Sequence, residues 1–409
     1  MRLLFLTPYY PPEVGAPQAR IHELAVRLVR RGHEVQVLTA LPNYPSGVVP
    51  PEYRDKAGTW EERDGVQVHR VWIYATPNKG FVRRVVAHLS FMAAAILAAP
   101  RMAECDAVYV ESPPLFDGVA GWVLARAKGA RMIFNIADLW PQSVVELGMI
   151  SPGFLLSAAT ALERWCYRQA DLILAVTSGI EQIMRERGYA SKVAWFPNGV
   201  DSARFAAGDG ASLRRDLGLA GKFVLLYAGT FGLAQGLSSV LAAARLLADD
   251  PRIHLVLAGD GADRERLVGE AGPNVTILPS QPAARMPDLL AAADVCLVAL
   301  RDLPLFLGAV PSKTYEAMAA ARPVLLAAKG EVAALLERAA AGVVVPPEDP
   351  AALAAAARTL AADPETCRRL GESGRRFVSE HFDRDVLAAR FEALLRGVTG
   401  PEASPGGII

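Results

Sequence analysis

This chain of 409 residues has few cysteines and histidines and a formal net charge of zero, and each of these features excludes a class of protein. The four cysteines are far apart and form no Cys-x-x-Cys pair, and there are six histidines. The sequence therefore predicts neither a disulfide framework nor a zinc site, as in proteins of a reducing cytosol. Lys plus Arg number 43, and so do Asp plus Glu. This balance gives no reason to expect nucleic acid as a partner.

Signals for export and for dinucleotide or metal binding are also missing. The first apolar run is too short for a signal peptide and ends at Pro8, so we expect a cytoplasmic protein. No Gly-x-Gly-x-x-Gly fingerprint is present, which makes an NAD(P) oxidoreductase the weakest candidate. The single Asp-x-Asp, Asp383-Arg-Asp385, precedes the last helix and is interpreted as a helix cap. We therefore expect no metal and no cofactor.

Apolar runs of strand length alternate with helical patterns almost throughout the chain, and 52% of the residues are apolar. This alternation predicts an α/β protein with two doubly wound parallel sheets, Rossmann-like and facing a cleft. We place the first domain at 1–200 and the second at 201–382, because the pattern restarts after the turn signal Asn198-Gly199. A helix near 383–396 is expected to pack back on the first domain, and 400–409 to be a disordered tail.

The most informative segment is the run from Val310 to Leu326, which is interpreted as a loop, a helix and a buried strand. Pro311 and Ser312 suit a helix start, where a Ser hydroxyl can cap free N–H groups. Lys313 and Glu316 follow in the first turn on neighbouring faces. A helix N-terminus beside a Lys is an anion site, and a carboxylate can bind sugar hydroxyls. The segment therefore indicates a nucleotide-sugar substrate.

Two glycine-rich loops follow predicted strands of the second half. The first, Tyr227–Gly236, holds three glycines and is expected to bring N–H groups to a pyrophosphate, the alternative being a loop that needs only positive φ. The second, Leu257–Asp263, needs its glycines for a tight turn, and Asp260 is expected either to face the ligand or to cap the next helix. With Gly15, between the first strand and first helix, the predicted donor-binding residues are Gly15, Gly229, Thr230, Gly232, Gln235, Gly259, Asp260, Gly261, Ser312, Lys313 and Glu316.

Three features of the first half carry further expectations. Asp138 ends a strand and is expected to hold hydroxyls of the transferred sugar or to assist proton movement, the alternative being a helix or turn cap. Glu111 ends another strand and is expected to face the acceptor or to cap a loop. The helix Phe81–Ala99 is expected either to lie on an anionic membrane surface or to be a buried core helix. Its uncharged stretch is short of the ~20 residues that span a bilayer.

Together these segments resemble glycosyltransferase family four, which consists of retaining two-domain GT-B enzymes with activated sugar donors. Within it, the chain looks like the bacterial branch that builds surface polysaccharides and resembles the N-acetyl-fucosamine transferases. The order and spacing of the matching segments carry the resemblance, which runs almost end to end. These segments are Leu4–Pro12, Arg31–Val35, Asp138–Pro141, Phe196–Asp201, Ala228–Gly236, Leu257–Gly261 and Pro311–Pro323.

The resemblance implies roles for single residues. The helix glutamate matching Glu316 binds the donor ribose in that family, and the glycine matching Gly15 lies near the diphosphate. Two departures stand out. The family's second glutamate, eight residues before Glu316, is Gly308 here, and the first glycine loop lacks the usual Arg and Lys. We expect Lys313, or Arg301, to supply the missing charge.

The sequence thus predicts a retaining glycosyltransferase with Asp138 and Lys313 as its catalytic residues. It would move a sugar of N-acetylhexosamine type from a UDP-sugar to a lipid-linked or other glycan acceptor in surface polysaccharide synthesis. Two alternatives remain open. A UDP-sugar 2-epimerase on the same fold would turn over its substrate without an acceptor. A catalytically silent nucleotide-sugar-binding protein would bind UDP and turn nothing over, and both departures favour it.

Overall fold

The structure is a computed structural model that describes residues 1–399 except 45, 55, 78–79, 143–144 and 146–152. The tail predicted at 400–409 lies outside the described residues. Contacts divide the chain into two compact units. The first unit is Met1–Asn198 with Leu387–Ile409, and the second is Gly199–Val386.

Most strands are short continuous runs of Val, Leu, Ile and Ala, as expected for parallel sheets that are covered on both faces. In chain order the strands are β1 Arg2–Leu6, β2 Glu34–Ala40, β3 Gly58–Arg63, β4 Val66–Val71, β5 Ala107–Ser112, β6 Arg131–Ile136, β7 Leu172–Ala175, β8 Val193–Trp195, β9 Phe223–Ala228, β10 Ile253–Ala258, β11 Val275–Leu278, β12 Val295–Ala299, β13 Val324–Ala327 and β14 Gly342–Val345.

The helices between the strands carry apolar residues at helical spacing on the side that packs against a sheet. In chain order the α-helices are α1 Ala16–Arg30, α2 Phe81–Ala98, α3 Asp117–Lys128, α4 Phe154–Gln169, α5 Ser178–Met184, α6 Ser202–Ala206, α7 Ala211–Asp216, α8 Leu237–Leu246, α9 Arg264–Glu270, α10 Met286–Ala291, α11 Ser312–Ala319, α12 Glu331–Ala339, α13 Pro350–Ala362, α14 Pro364–His381 and α15 Arg384–Thr399.

The first unit contains an eight-stranded sheet in the order β3-β4-β2-β1-β5-β6-β7-β8. All neighbours pair parallel except β3, which runs antiparallel to β4 at the edge. Sequence reasoning missed β3, although Asp64 and Gly65 between the two strands form the Asp-Gly signal of a tight hairpin. Both turn residues have positive φ, 52° and 80°.

The second unit contains a six-stranded parallel sheet in the order β11-β10-β9-β12-β13-β14. The order reverses direction at β9, so loops after β9, β10 and β12 leave the same edge of the sheet at a topological switch point, where ligands bind in such folds. The predicted α/β class with two doubly wound sheets is confirmed.

The last helix, α15, begins in the second unit and continues into the first from Leu387 onwards. Within the first unit, Phe391 is fully buried and packs edge-on against Phe5 and Tyr109, with ring centroids 6.2 and 5.9 Å away. At the start of α15, Asp383 accepts a hydrogen bond from the Asp385 N–H at 2.8 Å. The predicted capping role of this Asp-x-Asp is therefore confirmed.

Candidate active site

A cavity of about 350 Å³ opens at the carboxyl ends of β9, β10 and β11 in the second unit. The loops that leave these strands and the first turn of α11 form its walls. It brings together many of the residues that the sequence nominated for donor binding, although these residues lie up to 87 positions apart in the chain. The lining residues are Ala228, Gly229, Thr230, Gln235, Ala258, Gly259, Asp260, Ser280, Gln281, Met286, Leu289, Ser312, Lys313 and Glu316.

Lys313 is the cation of this cavity wall. Its ammonium lies over the Tyr227 ring, 3.7 Å from the ring centroid. Loss of hydration lowers the pKa of Lys313 to about 7, and the nearby Glu316 carboxylate offsets part of this effect by favouring the charged form. A lysine in such a setting gains a proton readily when an anion arrives.

Gly229 makes room for that ammonium. Its φ is 141°, a conformation that favours glycine, and a Cβ at this position would lie 2.7 Å from Lys313 Nζ. The Tyr227 hydroxyl donates a hydrogen bond of 2.7 Å to the Thr230 carbonyl and so fixes the loop beneath the ammonium. The first glycine loop therefore leaves space for the Lys313 ammonium and supports it from below.

The two glycine loops pack directly against each other. The Gly229 N–H donates to the Ala258 carbonyl at 2.9 Å, and the Phe231 N–H donates to the Asp260 carbonyl at 2.8 Å. A Cβ on Gly259 would overlap the Gly229 carbonyl, and one on Gly261 would overlap the Phe231 carbonyl. Glycine is needed at 259 and 261 because the neighbouring loop leaves no space for a side chain.

Several loop N–H groups that were expected to meet a pyrophosphate already have partners. Besides the two just described, the Gly232 N–H donates to Gln235 Oε1 at 3.1 Å. The Gly261 N–H donates to Asp260 Oδ1 at 2.8 Å. Gly232 and Gly261 also lie outside the cavity lining. The expectation that the first glycine loop brings N–H groups to a pyrophosphate is therefore wrong for Gly229 and Gly232, and positive charge at this site rests more heavily on Lys313.

Asp260 and Ser312 line the cavity but do not cap the helices that follow them. The helix after Asp260, α9, begins at Arg264, and the Asp260 carboxylate binds its own neighbour instead. In α11 the N-cap residue is Pro311, no side chain caps the helix, and Ser312 is already the first helical residue. Both capping interpretations are therefore wrong, and both side chains remain candidates for ligand contact.

Sequence reasoning missed the far wall of the cavity. Ser280 and Gln281 follow β11, while Met286 and Leu289 come from α10. The signal was present, because β11 ends at the same edge as β9 and β10 and its loop must face the same cavity. These side chains combine apolar surface with hydrogen-bonding groups, as sites for nucleotide bases and sugars do.

The structure places both residues that bear on the departures from the family pattern outside the cavity lining. Gly308 is exposed, and a Cβ there would meet no atom within 4 Å, so the backbone does not require glycine. Arg301, the second candidate for the missing charge, lies outside the cavity lining. Its Nε is 3.4 Å from the Glu348 carboxylate, so this guanidinium already has an anionic partner.

In the first unit, Glu111 lies within β5 and is 2% exposed. Its carboxylate forms an ion pair with Arg20 and accepts hydrogen bonds from Tyr109 Oη and Asn135 Nδ2, each at 3.0 Å. Arg20 also donates to Asn198 Oδ1 at 2.7 Å. A loop-capping role for Glu111 is therefore wrong. The carboxylate holds strand ends together, and its pKa is raised mainly by burial.

Gly15 and Asp138 also lie at the carboxyl edge of the first sheet. Gly15 is the N-cap residue of α1, with an extended backbone at φ 171°. A Cβ on Gly15 would overlap Gln18 Oε1, so a larger residue there would displace the end of the Gln18 side chain. Asp138 follows β6 in a bend and is exposed to solvent. The structure thus leaves Asp138 accessible, whereas Glu111 is enclosed.

Comparison with known proteins identifies the family. Residues 15–199 match the glycosyl transferase 4-like domain, and residues 211–377 match the glycosyl transferases group 1. A putative colanic acid biosynthesis glycosyl transferase, WcaI of Escherichia coli K12, is 30% identical over 312 residues. This alignment covers 73% of the present chain and 76% of WcaI. The chain is a GT-B glycosyltransferase.

More distant relatives of this glycosyltransferase differ in what they act on. The D-inositol 3-phosphate glycosyltransferase of Segniliparus rotundus is 26% identical, with 96% of this chain and 88% of the relative covered. Among solved structures, the sucrose-phosphate synthase of Thermosynechococcus elongatus superposes with a TM-score of 0.75 at 22% identity, covering 97% and 98% of the two chains. Anabaena HepE, solved with UDP-glucose, superposes with a TM-score of 0.72 at 18% identity, covering 97% and 100%. Both superpositions confirm the GT-B fold.

Proposed function

We propose that this glycosyltransferase transfers a sugar from a UDP-sugar to a lipid-linked glycan acceptor, with retention at the anomeric carbon. The observation that carries the proposal is the shared cavity of Lys313, Glu316 and the Gly229 loop at the switch point of the second sheet. An ammonium and a carboxylate in one polar cavity suit a diphosphate and a ribose, respectively.

Donor binding follows from these side chains. The Lys313 ammonium would leave the Tyr227 ring and bind the diphosphate, where a charged partner restores its proton. Glu316, one helical turn further along α11, would accept hydrogen bonds from the ribose hydroxyls. Support for UDP comes from HepE, which was solved with UDP-glucose. A GDP-mannose-dependent relative, 27% identical over 65% of this chain, makes the base a variable that experiment must settle.

Stabilisation of the leaving group is the main chemical task of such a site. As the glycosidic bond breaks, negative charge grows on the departing diphosphate, and a cation already in place lowers the barrier. In the retaining mechanism that we propose, the acceptor hydroxyl attacks from the side of the leaving group. Its proton passes to the departing phosphate oxygen, so no protein nucleophile is required. Asp138 is proposed to hold hydroxyls of the transferred sugar and to assist proton movement.

The acceptor and the sugar are proposed on the strength of the relatives. WcaI is named for colanic acid biosynthesis, which supports a role in surface polysaccharide assembly. We propose a sugar of N-acetylhexosamine type, in line with the resemblance to N-acetyl-fucosamine transferases. The acceptor would be presented at the inner face of the cell membrane, so the enzyme would be cytoplasmic and peripheral. No metal is part of the proposed mechanism.

The test is UDP release from a panel of UDP-sugars, each with and without a membrane extract that contains lipid-linked acceptors. Release from one donor that depends on the extract would support the transferase and identify its sugar. Turnover of a UDP-sugar without any acceptor would indicate the epimerase. Binding of UDP with no release from any UDP-, GDP- or dTDP-sugar would indicate a silent binding protein.

A further inference from the structure

Helix α2 of the first unit has two apolar sides, of which only one is covered. Its inner side packs into the core through Phe91, which is fully buried, and through neighbouring alanines. Its outer side carries large exposed side chains, with Val82 at 72%, Val86 at 44%, Leu89 at 38% and Leu97 at 74% exposure. These positions, together with Ala93, recur every three or four residues and therefore form one continuous stripe along the helix.

The stripe continues into aromatic residues of the sheet edge. Trp60 on β3 and Trp72 just after β4 are 47% and 50% exposed. Together with Ala93 and Leu97 they line an open groove of about 600 Å³. The Trp60 ring stacks on His69 with centroids 4.3 Å apart, which holds the indole in its exposed position. The outer stripe and the two indoles are named the apolar face here: Trp60, Trp72, Val82, Val86, Leu89, Ala93 and Leu97.

Positive charge borders this face at both ends of the helix. Arg83 and Arg84 lie exposed in the first turn of α2, and Arg101 lines the groove beyond its last turn. Residues 81–103 contain no aspartate or glutamate. On the β3 side, Glu61 pairs with Arg70 at 2.7 Å, and Glu62 accepts a hydrogen bond from Gln67 at 2.9 Å, so both carboxylates beside Trp60 already have partners.

We infer that the apolar face docks this glycosyltransferase onto an anionic lipid bilayer, with α2 lying in the plane of the surface. Exposed Val and Leu side chains would enter the acyl boundary, the indoles would sit at headgroup level, and the arginines would contact lipid phosphates. The face is apolar in the middle and basic at both ends, which complements an anionic lipid surface. A second copy of the same face is a poorer partner, because its arginines would repel those of the first copy.

The segment Val82–Arg101 is long and apolar enough to cross a membrane by length and composition, and 28% of it is buried within the protein. Spanning would require Phe91 and its buried neighbours to leave the core, whereas docking leaves them in place. The inference deepens the proposed function, since a lipid-linked acceptor requires the enzyme to be at a membrane. The purpose of docking rests on that proposed function, whereas the docking surface itself is argued from exposure and charge.

The experiment is flotation of the full chain with vesicles of phosphatidylglycerol and phosphatidylcholine in equal parts, or of phosphatidylcholine alone. We expect binding to the anionic vesicles that weakens with salt. Val82→Glu and Leu97→Glu should each lower the partition coefficient about tenfold or more, because an exposed apolar contact becomes a carboxylate that anionic lipid repels. Leu246→Glu and Val268→Glu are matched controls, since these residues are 52% and 53% exposed in the second unit.

Three results would overturn the inference. The wild-type chain does not float with anionic vesicles, the two face variants float as it does, or sedimentation shows a dimer that the face variants dissociate. Melting temperatures of all variants exclude misfolding as the cause. Failure of this inference is distinguishable from failure of the proposed function. If the chain binds vesicles but releases no UDP, the membrane-docking inference stands and the proposed transferase activity fails. If it releases UDP with a soluble acceptor but does not bind vesicles, the transferase activity stands and the docking inference fails.

Discussion

The pH dependence of donor affinity is the sharpest consequence of the site, because its main cation titrates near neutrality. In the empty cavity, burial lowers the pKa of Lys313 to about 7. A bound diphosphate would raise that pKa again, since it replaces lost hydration with an opposite charge. Donor binding above pH 7 should therefore be coupled to uptake of a proton.

The direction of the pH dependence follows from the expectation that the donor binds the protonated form of Lys313. Well below pH 7 the amine is already charged, so the dissociation constant of the donor should become independent of pH there. Above pH 7 the empty site must first gain a proton, and the dissociation constant should rise about tenfold per pH unit until the pKa of the bound state is reached. A UDP-sugar is the right ligand, because its diphosphate diester stays fully ionised across this range, whereas free UDP titrates.

Two substitutions of Lys313 separate the effect of its positive charge from the effect of its protonation near pH 7. Lys313→Met keeps the length of the side chain and removes the charge. Loss of a charged hydrogen bond of about 1.5–3 kcal/mol should weaken donor binding by roughly ten- to a hundredfold and abolish the pH dependence. Lys313→Arg keeps a charge at all pH values, so affinity should no longer vary with pH. Lys329→Met is the control, because Lys329 is exposed and pairs with Asp302 at 2.7 Å.

Isothermal titration calorimetry at pH 6, 7, 8 and 9 measures both quantities. The dissociation constant gives the pH profile, and a comparison of buffers with different ionisation enthalpies gives the number of protons taken up. A wild-type affinity that does not change with pH, or a Lys313→Met variant that binds the donor normally, would refute the assignment of the diphosphate to Lys313.

The remaining predictions use other parts of the two units. Glu316→Gln should weaken UDP-sugar binding about tenfold by calorimetry, through loss of charged hydrogen bonds to the ribose. Gly229→Ala should do the same, because Gly229 lines the cavity with a φ of 141° that a side chain disfavours. Gly269→Ala, with no atom within 4 Å of the new Cβ, should leave affinity unchanged. Arg20→Met should cost about 3–5 kcal/mol of stability in urea unfolding, because Glu111 would keep a buried charge without its partner. EDTA should leave UDP release unchanged, because the proposed mechanism uses no metal.

Sequence patterns predicted the features that depend on neighbours in the chain. Strand and helix alternation gave the two sheets, and Lys313 and Glu316 share a cavity because both lie in the first turns of one helix. The Asp64-Gly65 hairpin also depends on neighbours in the chain, and its signal in the sequence was overlooked. In each case the determining contacts lie within a few residues, where turn chemistry and periodicity are visible in the sequence.

The features that sequence reasoning missed depend on residues that meet only in the fold. Glu111 was assigned to the acceptor because it ends a strand, but its ion-pair partner, Arg20, lies 91 residues earlier. Gly259 was assigned to the ligand and does line the cavity, but its backbone also abuts Gly229 of another loop. No pattern within either segment reveals these contacts, because the partner residues come from distant parts of the chain.

The absence of the usual Arg and Lys from the first glycine loop now has a physical consequence for turnover. The N–H groups of Gly229, Phe231 and Gly232 bind within the protein, so the loop offers little charge of its own. With one titratable amine as the main cation, about half of the empty sites at pH 7 would be ready for a donor, which weakens apparent affinity only about twofold. The same amine can lose its proton as the product diphosphate departs, and a site that is neutral when empty holds the leaving anion less tightly than two permanent charges would. Reliance on Lys313 should therefore favour product release at a small cost in donor binding.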